Sequence, residues 1–271
     1  MLSICAVIAV RNEARYLRVL LPLLAHQGID VAIIDNDSTD DSSDIYADRS
    51  NNSIISIERL PYPGYFSLSA QLEAKKQVYT RLKHDWVIHW DADEILEHYS
   101  PGHSLRDAIQ EAEDGGYNAL DFDEFVFLPE PGIDYSTGNF YHEMLRYYYF
   151  RSNANRHQRA WRRDMSFNTT TGAGHRLYGH ELSIAPVNCV MRHYIVLSFE
   201  HAKLKYLHRL FDPKEVVLGW HRNRLHINEA DLLIPDDNQY LFYLSRFDSS
   251  DFCRNFPVSE HYWKWRAKGL I

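Results

Sequence analysis

The chain has 271 residues, with 29 Lys and Arg against 37 Asp and Glu and a formal net charge of −8. That balance argues against a nucleic-acid binder, whose footprint is basic, so an anionic ligand must be held by local cations or by a metal. Three Cys without metal-ligand spacing point to a reducing, cytoplasmic setting. No apolar run reaches the length of a membrane span, which leaves only peripheral contact at the inner face of a membrane open.

Ser3–Val10 (SICAVIAV) is a continuous apolar run, the pattern of a strand buried on both faces in a parallel sheet. Tyr16, Leu17, Leu20, Leu21 and Leu24 follow at helical spacing, and Gly28 stops that helix. Asp30–Asp35 (DVAIID) is a second strand, and the polar run Asn36–Asp41 caps a helix from Ser42 to about Ala47. Ser53–Leu60 alternates as a third strand, broken by Pro61-Tyr62-Pro63-Gly64. A helical pattern from Ser67 to Leu82, with Lys75 and Lys76 inside it, leads to a fourth strand over Asp85–Trp90. This alternation predicts βαβ units: an α/β fold with a mostly parallel central sheet flanked by helices. Right-handed crossovers then set Asn12, Asn36 and Asp91 along one rim, at the strand C-termini.

The second half is less regular. Ser104–Ala112 reads as a helix, and Ala119–Phe127 as a strand that changes parity, with a kink near Asp123-Glu124. Pro129–Thr171 reads as irregular apart from one strand near Gln158–Met165. Gly172-Ala173-Gly174-His175 is a loop, Cys189–Val196 a strand and Phe199–Leu210 a helix; the remainder is a polar, aromatic tail. With no repeat or linker, we expect a single domain over 1–271 whose C-terminal half diverges.

The fourth strand ends abruptly in Asp91-Ala92-Asp93-Glu94. Three carboxylates so close repel one another and are costly to bury unless something positive sits between them. A divalent cation is the usual answer, and such a cation is often partnered by a diphosphate.

Three motifs stand in order: Asn12-Glu13-x-x-Tyr16-Leu17 after the first strand, Ile33-Ile34-Asp35-Asn36-Asp37-Ser38-Thr39-Asp40 after the second, and Asp91-Ala92-Asp93 after the fourth. Together they resemble the family 2 glycosyltransferases of the GT-A fold, in the subgroup whose first helix reads Asn-Glu-x-x-Tyr-Leu. The resemblance covers roughly the first hundred residues. It implies a nucleotide-sugar donor, usually a UDP-sugar, a divalent Mn²⁺ or Mg²⁺, a saccharide or glycolipid acceptor, and inversion at the anomeric centre. By position, Ala9 to Arg11 would flank the base, with Asn12, Glu13 and Asp35 beside them. Asn36 stands where many members place an Asp on the uracil, and an amide can still read a pyrimidine edge. Asp91 would contact ribose and metal, and Asp93 would be the main metal ligand. Asp35 and Asp37 also fit plain turn formers, Asn12-Glu13 a plain helix start, and Glu94 a cap for the next segment.

His193-Tyr194, ahead of Ser198-Phe199-Glu200, is similar to the late His-Tyr of related transferases, which makes His193 a candidate metal ligand or diphosphate contact; a packed histidine is the alternative. His175 could face the acceptor or the diphosphate. Lys203, Lys205, the Trp220-His221-Arg222-x-Arg224 group, Arg162 and Arg163 are candidates to neutralise the diphosphate. The family's usual Glu-Asp base signature is absent downstream of the metal motif. Glu181 and Asp164 lead as the catalytic base, with Asp123 or Glu124 behind them. On this reading residues 1–128 bind the nucleotide-sugar and 129–271 form the acceptor side. Two other classes compete: a nucleotidyltransferase, disfavoured by the glycine-free loop Val10-Arg11-Asn12-Glu13, and a non-catalytic nucleotide- or sugar-binding module.

Overall fold

A computed structural model describes residues 1–48, 53–151 and 157–271; residues 49–52 and 152–156, and the side chains at 172 and 173, lie outside the description. In chain order the elements of the first half are β1 (Ile4–Val10), α1 (Ala14–His26), β2 (Asp30–Asp35), α2 (Ser42–Ala47), β3 (Ile54–Arg59), α3 (Leu68–Arg81), β4 (Trp86–Trp90), β5 (Glu94–Glu97), α4 (Leu105–Asp114), β6 (Ala119–Leu120) and β7 (Phe122–Phe127). Then come α5 (Phe140–Glu143), β8 (Arg146–Phe150), β9 (Ala160–Arg162), β10 (Cys189–His193), α6 (Phe199–Tyr206), α7 (Pro213–Val217) and β11 (Phe242–Tyr243). No described helix is long and apolar enough to cross a membrane.

The chain forms two compact units that interleave along the sequence. The first comprises Met1–Pro63, Leu68–Phe122 and Arg156–Met191; the second comprises Gly64–Ser67, Asp123–Asn155 and Arg192–Ile271. The first unit is the α/β fold expected from the sequence. Its sheet has the order β3-β2-β1-β4-β9-β6. β3, β2, β1 and β4 are parallel, and β9 runs antiparallel to both β4 and β6. β1 and β4 are buried almost throughout, as their unbroken apolar runs require. β3, at the sheet edge, shows the alternation of its sequence. α1 seats Tyr16, Leu17, Leu20, Leu21 and Leu24 in the core, and Gly28 takes the left-handed φ of +64° that ends it.

The second unit carries an antiparallel sheet, β11-β8-β7. Here the structure departs from the sequence reading. β8 (RYYYF) lies in a stretch that reads as irregular; its residues are nearly all buried, so no polar alternation marks it. The strand expected over Gln158–Met165 shrinks to Ala160–Arg162. The break in the 119–127 segment falls at Asp121, earlier than Asp123-Glu124. The Asp121 carboxylate takes the backbone N–H of Phe122 (3.0 Å) and of His157 (2.7 Å), which interrupts the strand. The helix expected to Leu210 stops at Tyr206. The C-terminal segment is no loose tail: Val258, Tyr262, Trp263 and Trp265 pack with Val126, Tyr148, Ile195 and Leu241 in the second unit's core.

Candidate functional site

In the first unit, the C-terminal ends of β1, β2, β3 and β4 form one edge of the sheet. The chain turns sharply there. Asn12 and Asp37 both hold left-handed φ, +58° and +53°, values rare outside glycine but tolerated by Asn and Asp. The β1–α1 and β2–α2 loops are tied together. The Asn12 Oδ1 accepts the Thr39 N–H (2.7 Å), the Ser42 Oγ accepts the Glu13 N–H (3.0 Å), and the Asp40 carboxylate accepts the Ala14 N–H (3.1 Å). Asp35 takes the Ser38 N–H (3.1 Å), a local turn contact, whereas Asp37 takes the Tyr62 N–H (2.8 Å) and so ties its loop to the segment after β3. Arg59 beside Asp37 (2.6 Å) and the Tyr62 N–H hold the Asp37 carboxyl below the usual range.

Asn36 is buried, and its side-chain amide donates to the Leu60 carbonyl (2.9 Å). Arg11 donates to the carbonyls of Asn36 (2.7 Å) and Asp37 and lies 3.4 Å above the centre of the Tyr62 ring. This pair is a cationic, aromatic platform beside the end of β1, where Ala9 and Arg11 were expected to flank a base.

The acidic turn sits next to it, after β4. Two cations that sequence reasoning left without a role hold it. Lys75, on the buried stripe of α3 with Leu72, Val78 and Tyr79, donates from Nζ to the Trp90 carbonyl (2.9 Å) and to Asp91 Oδ1 (2.8 Å). Arg159, just before β9, donates to Asp91 Oδ2 (3.1 Å) and to Glu94 Oε1. The Lys75, Arg159 and Glu94 side chains are 4%, 5% and 1% exposed, whereas that of Asp91 is 44% exposed. Burial opposes the charge on Asp91, but Lys75 and Arg159 outweigh it and hold the carboxyl well below the usual range. Glu94 is an internal counter-ion of Arg159 that opens β5, not an exposed ligand. One signal for Lys75 was present in the sequence: a lysine on the apolar stripe of a helix needs a buried partner.

Asp91 and Asp93 suit a hard divalent cation that takes the rest of its shell from phosphate and water, because one or two carboxylates are the protein's usual share in such sites. Among the described residues, the one group of three metal-capable side chains within reach of each other lies elsewhere, at His98, His103 and Glu111. There the Ser100 N–H donates to His98 Nδ1 (2.8 Å). The neutral ring therefore carries its proton on Nε2, toward Glu111 (3.3 Å), and has no lone pair to offer at that nitrogen.

The two leading base candidates are not at this edge. β9 runs antiparallel to β4, with Trp86 opposite Arg162. Asp164, just past β9 and paired with Arg162 (2.7 Å), therefore lies at the N-terminal edge of the sheet. Glu181 is exposed at the same edge, its carbonyl accepting from the Asn118 side chain (2.7 Å) beside Arg162. Four strand steps, roughly 13 Å, separate that edge from Trp90. Arg163 is there too, donating to the His84 carbonyl (3.0 Å). Strand direction thus sets both of these base candidates at the edge opposite Asp91.

His175 does fall on the carboxylate side, its carbonyl accepting the N–H of Gln158, the residue before Arg159 (3.0 Å). It follows a single 3-10 turn, Thr171–Gly174, in which Gly174 has φ +76° and packs so closely on Leu72 of α3 that a Cβ would meet Cδ2 at 2.5 Å.

In the second unit, His193 Nδ1 faces the buried carboxylate of Glu124 (2.6 Å), and Asp123 is paired with Arg254 (2.8 Å). Lys203 is held by Glu200 (2.8 Å) and Glu229 (3.5 Å) on the surface of α6, and Lys205 donates to the Ile195 carbonyl (2.9 Å). His221 is buried against Glu215 (2.7 Å).

No known family model matches the chain, and no curated protein matches it. Among solved structures it is similar to S. aureus TarS: one structure aligns over 82% of this chain and 43% of its own, at 14% identity and a TM-score of 0.45. TarS 1–349 in complex with UDP aligns over 86% of this chain and 75% of its own, at 12% identity and a TM-score of 0.45. TarS 1–349 in complex with UDP-GlcNAc aligns over 82% and 72%, at 14% identity and the same TM-score. The chain thus spans less than half the length of the first of these, and a likeness at this level carries no argument about the site.

Proposed function

We propose that the chain is a glycosyltransferase of the GT-A type, related to family 2, that moves a sugar from a nucleotide-sugar, a UDP-sugar by preference, to a saccharide or glycolipid acceptor with inversion. One observation carries this reading. The three sequence motifs converge on the C-terminal edge of the parallel strands, with Arg11 and Asn12 just past β1, Asn36 just past β2, and Asp91 and Asp93 just past β4. β1 lies between β2 and β4, so this is where the strand order reverses, and α/β sheets bind ligands at that point.

In this scheme the Arg11–Tyr62 platform receives the base, the buried Asn36 holds the loop through the Leu60 carbonyl, and Asp91 and Asp93 hold a divalent Mn²⁺ or Mg²⁺. That cation would supply Lewis-acid stabilisation of the leaving diphosphate. The acceptor oxygen attacks the anomeric carbon as the bond to the diphosphate oxygen breaks, and a carboxylate base takes the hydroxyl proton. Glu181 and Asp164 are withdrawn from the base role by their place on the far edge. Asp123 and Glu124 lie in the second unit, where Asp123 pairs with Arg254 and Glu124 with His193. The Glu124 carboxylate at His193 Nδ1 is the kind of second partner that a ligating imidazole usually has. A nucleotidyltransferase is less well supported: its Gly-rich phosphate loop is missing, and the loop present is tied down through Asn12 and Thr39.

The test is thermal denaturation with a panel of nucleoside diphosphates, with and without Mn²⁺. Stabilisation by UDP that requires the metal is the expected result, since a ligand bound only by the native state raises apparent stability. No metal-dependent shift with any nucleotide would overturn the reading, and binding without sugar transfer to any acceptor would favour the non-catalytic module.

A further inference from the structure

The acidic turn is already neutralised in large part by the protein itself. Lys75 occupies one oxygen of Asp91 at 2.8 Å, and Arg159 the other at 3.1 Å. Arg159 also holds Glu94. Both oxygens of Asp91 thus already face a cation of the protein itself. Both cationic side chains are buried and anchored by the fold, Lys75 through the Trp90 carbonyl and Arg159 through Glu94. They are therefore preorganised rather than swung in from solvent.

A carboxylate held in this way at both oxygens attracts a free divalent ion weakly. A metal–diphosphate complex meets it differently: the diphosphate oxygens complete the metal's shell and are themselves drawn to the two cations. We infer that Lys75 and Arg159 are positioning residues that withhold Asp91 from free metal, so that the divalent ion enters only together with the nucleotide diphosphate. This rests on the proposed nucleotide-sugar reading, and it assigns to two side chains far apart in sequence a control over the order of binding.

The experiment measures Mn²⁺ uptake by electron paramagnetic resonance, from loss of the free-ion signal, with and without UDP. Wild-type protein is expected to leave Mn²⁺ free in the absence of UDP and to take it up when UDP is present. Lys75→Met and Arg159→Gln each remove one cation by a separate route and are expected to bind Mn²⁺ alone at least about tenfold more tightly than wild type. Lys75→Arg, which keeps the charge, should behave as wild type. Adding Asp91→Asn to Lys75→Met should return the metal-alone affinity to the wild-type level, an outcome that a merely structural role for Lys75 would not produce. The inference is overturned if wild type binds Mn²⁺ alone as tightly as with UDP, or if neither charge-removing variant gains affinity for the free ion. Failure of the nucleotide reading looks different: UDP then fails to bind wild type in any metal, while the metal-alone comparison among variants still decides the role of the two cations.

Discussion

The two edges of the first unit's sheet are both acidic, but they handle their acids differently. At the C-terminal edge, Asp91 and Glu94 are held by Lys75 and Arg159, side chains buried in the fold and brought from α3 and from the lead into β9. At the N-terminal edge, Asp164 pairs with Arg162 two residues away, and Asp85 accepts the N–H and the hydroxyl of Ser3 (both 2.8 Å), all near solvent. Exposed pairs of the second kind contribute at most about 1 kcal/mol and orient little. Buried pairs of the first kind fix their members in place, because any other arrangement strands a charge in the interior. The edge with buried cations is therefore the one where geometry is specified, as the proposed nucleotide-sugar site requires.

The contrast can be broken by substitution. The largest effect is expected from Asp93→Ala at the C-terminal edge, which should abolish the Mn²⁺-dependent stabilisation by UDP while leaving the melting temperature of the free protein nearly unchanged; a surviving shift would remove Asp93 from the metal. Next comes Arg159→Leu. It leaves Glu94, which is 1% exposed, without its guanidinium and should cost about 3–5 kcal/mol in urea unfolding.

A smaller effect is expected at Asp85. The Ser3 N–H and hydroxyl hold its carboxyl below the usual range, with burial opposing weakly. A carboxyl whose folded pKa is depressed contributes stability that is complete above the unfolded value, about 4, and is lost as pH falls through the folded value. Asp85→Asn should thus lower the urea midpoint slightly at pH 7 and flatten its decline below about pH 4; an unchanged acid limb would show that the Ser3 contacts do not matter in solution. The smallest effects are expected for Glu181→Gln and Asp164→Asn, each within about 0.5 kcal/mol in stability and without effect on the UDP shift or on transfer. A large loss of transfer with either would mean that the N-terminal edge takes part in the chemistry after all.

Much of the first unit was legible in the sequence. The buried runs of β1, β2 and β4, the helical stripe of α1, the α2 boundaries and the turn chemistry of Asn36–Asp41 all follow from local periodicity and from the left-handed tolerance of Asn and Asp. The second unit was legible only in part: the strand ending at Phe127 and the helix starting at Phe199 follow from the sequence, but β8 and the C-terminal packing do not. RYYYF has no polar alternation because almost every position is buried, and Trp263 and Trp265 look like tail residues until the core they fill is formed.

What the sequence by itself determined is the set of parallel strands and the acidic turn at the end of one of them, because hydrophobic periodicity and strand-end motifs act over a few residues. Only the tertiary structure decided which charges meet that turn and which acids lie out of its reach. The return of β9 antiparallel to β4 carries Arg159 to the acidic edge and Asp164 away from it, although five positions separate them in the chain. Ion pairing depends on where the backbone comes back in space, and a short strand crossing the sheet is enough to place near neighbours in sequence at opposite edges.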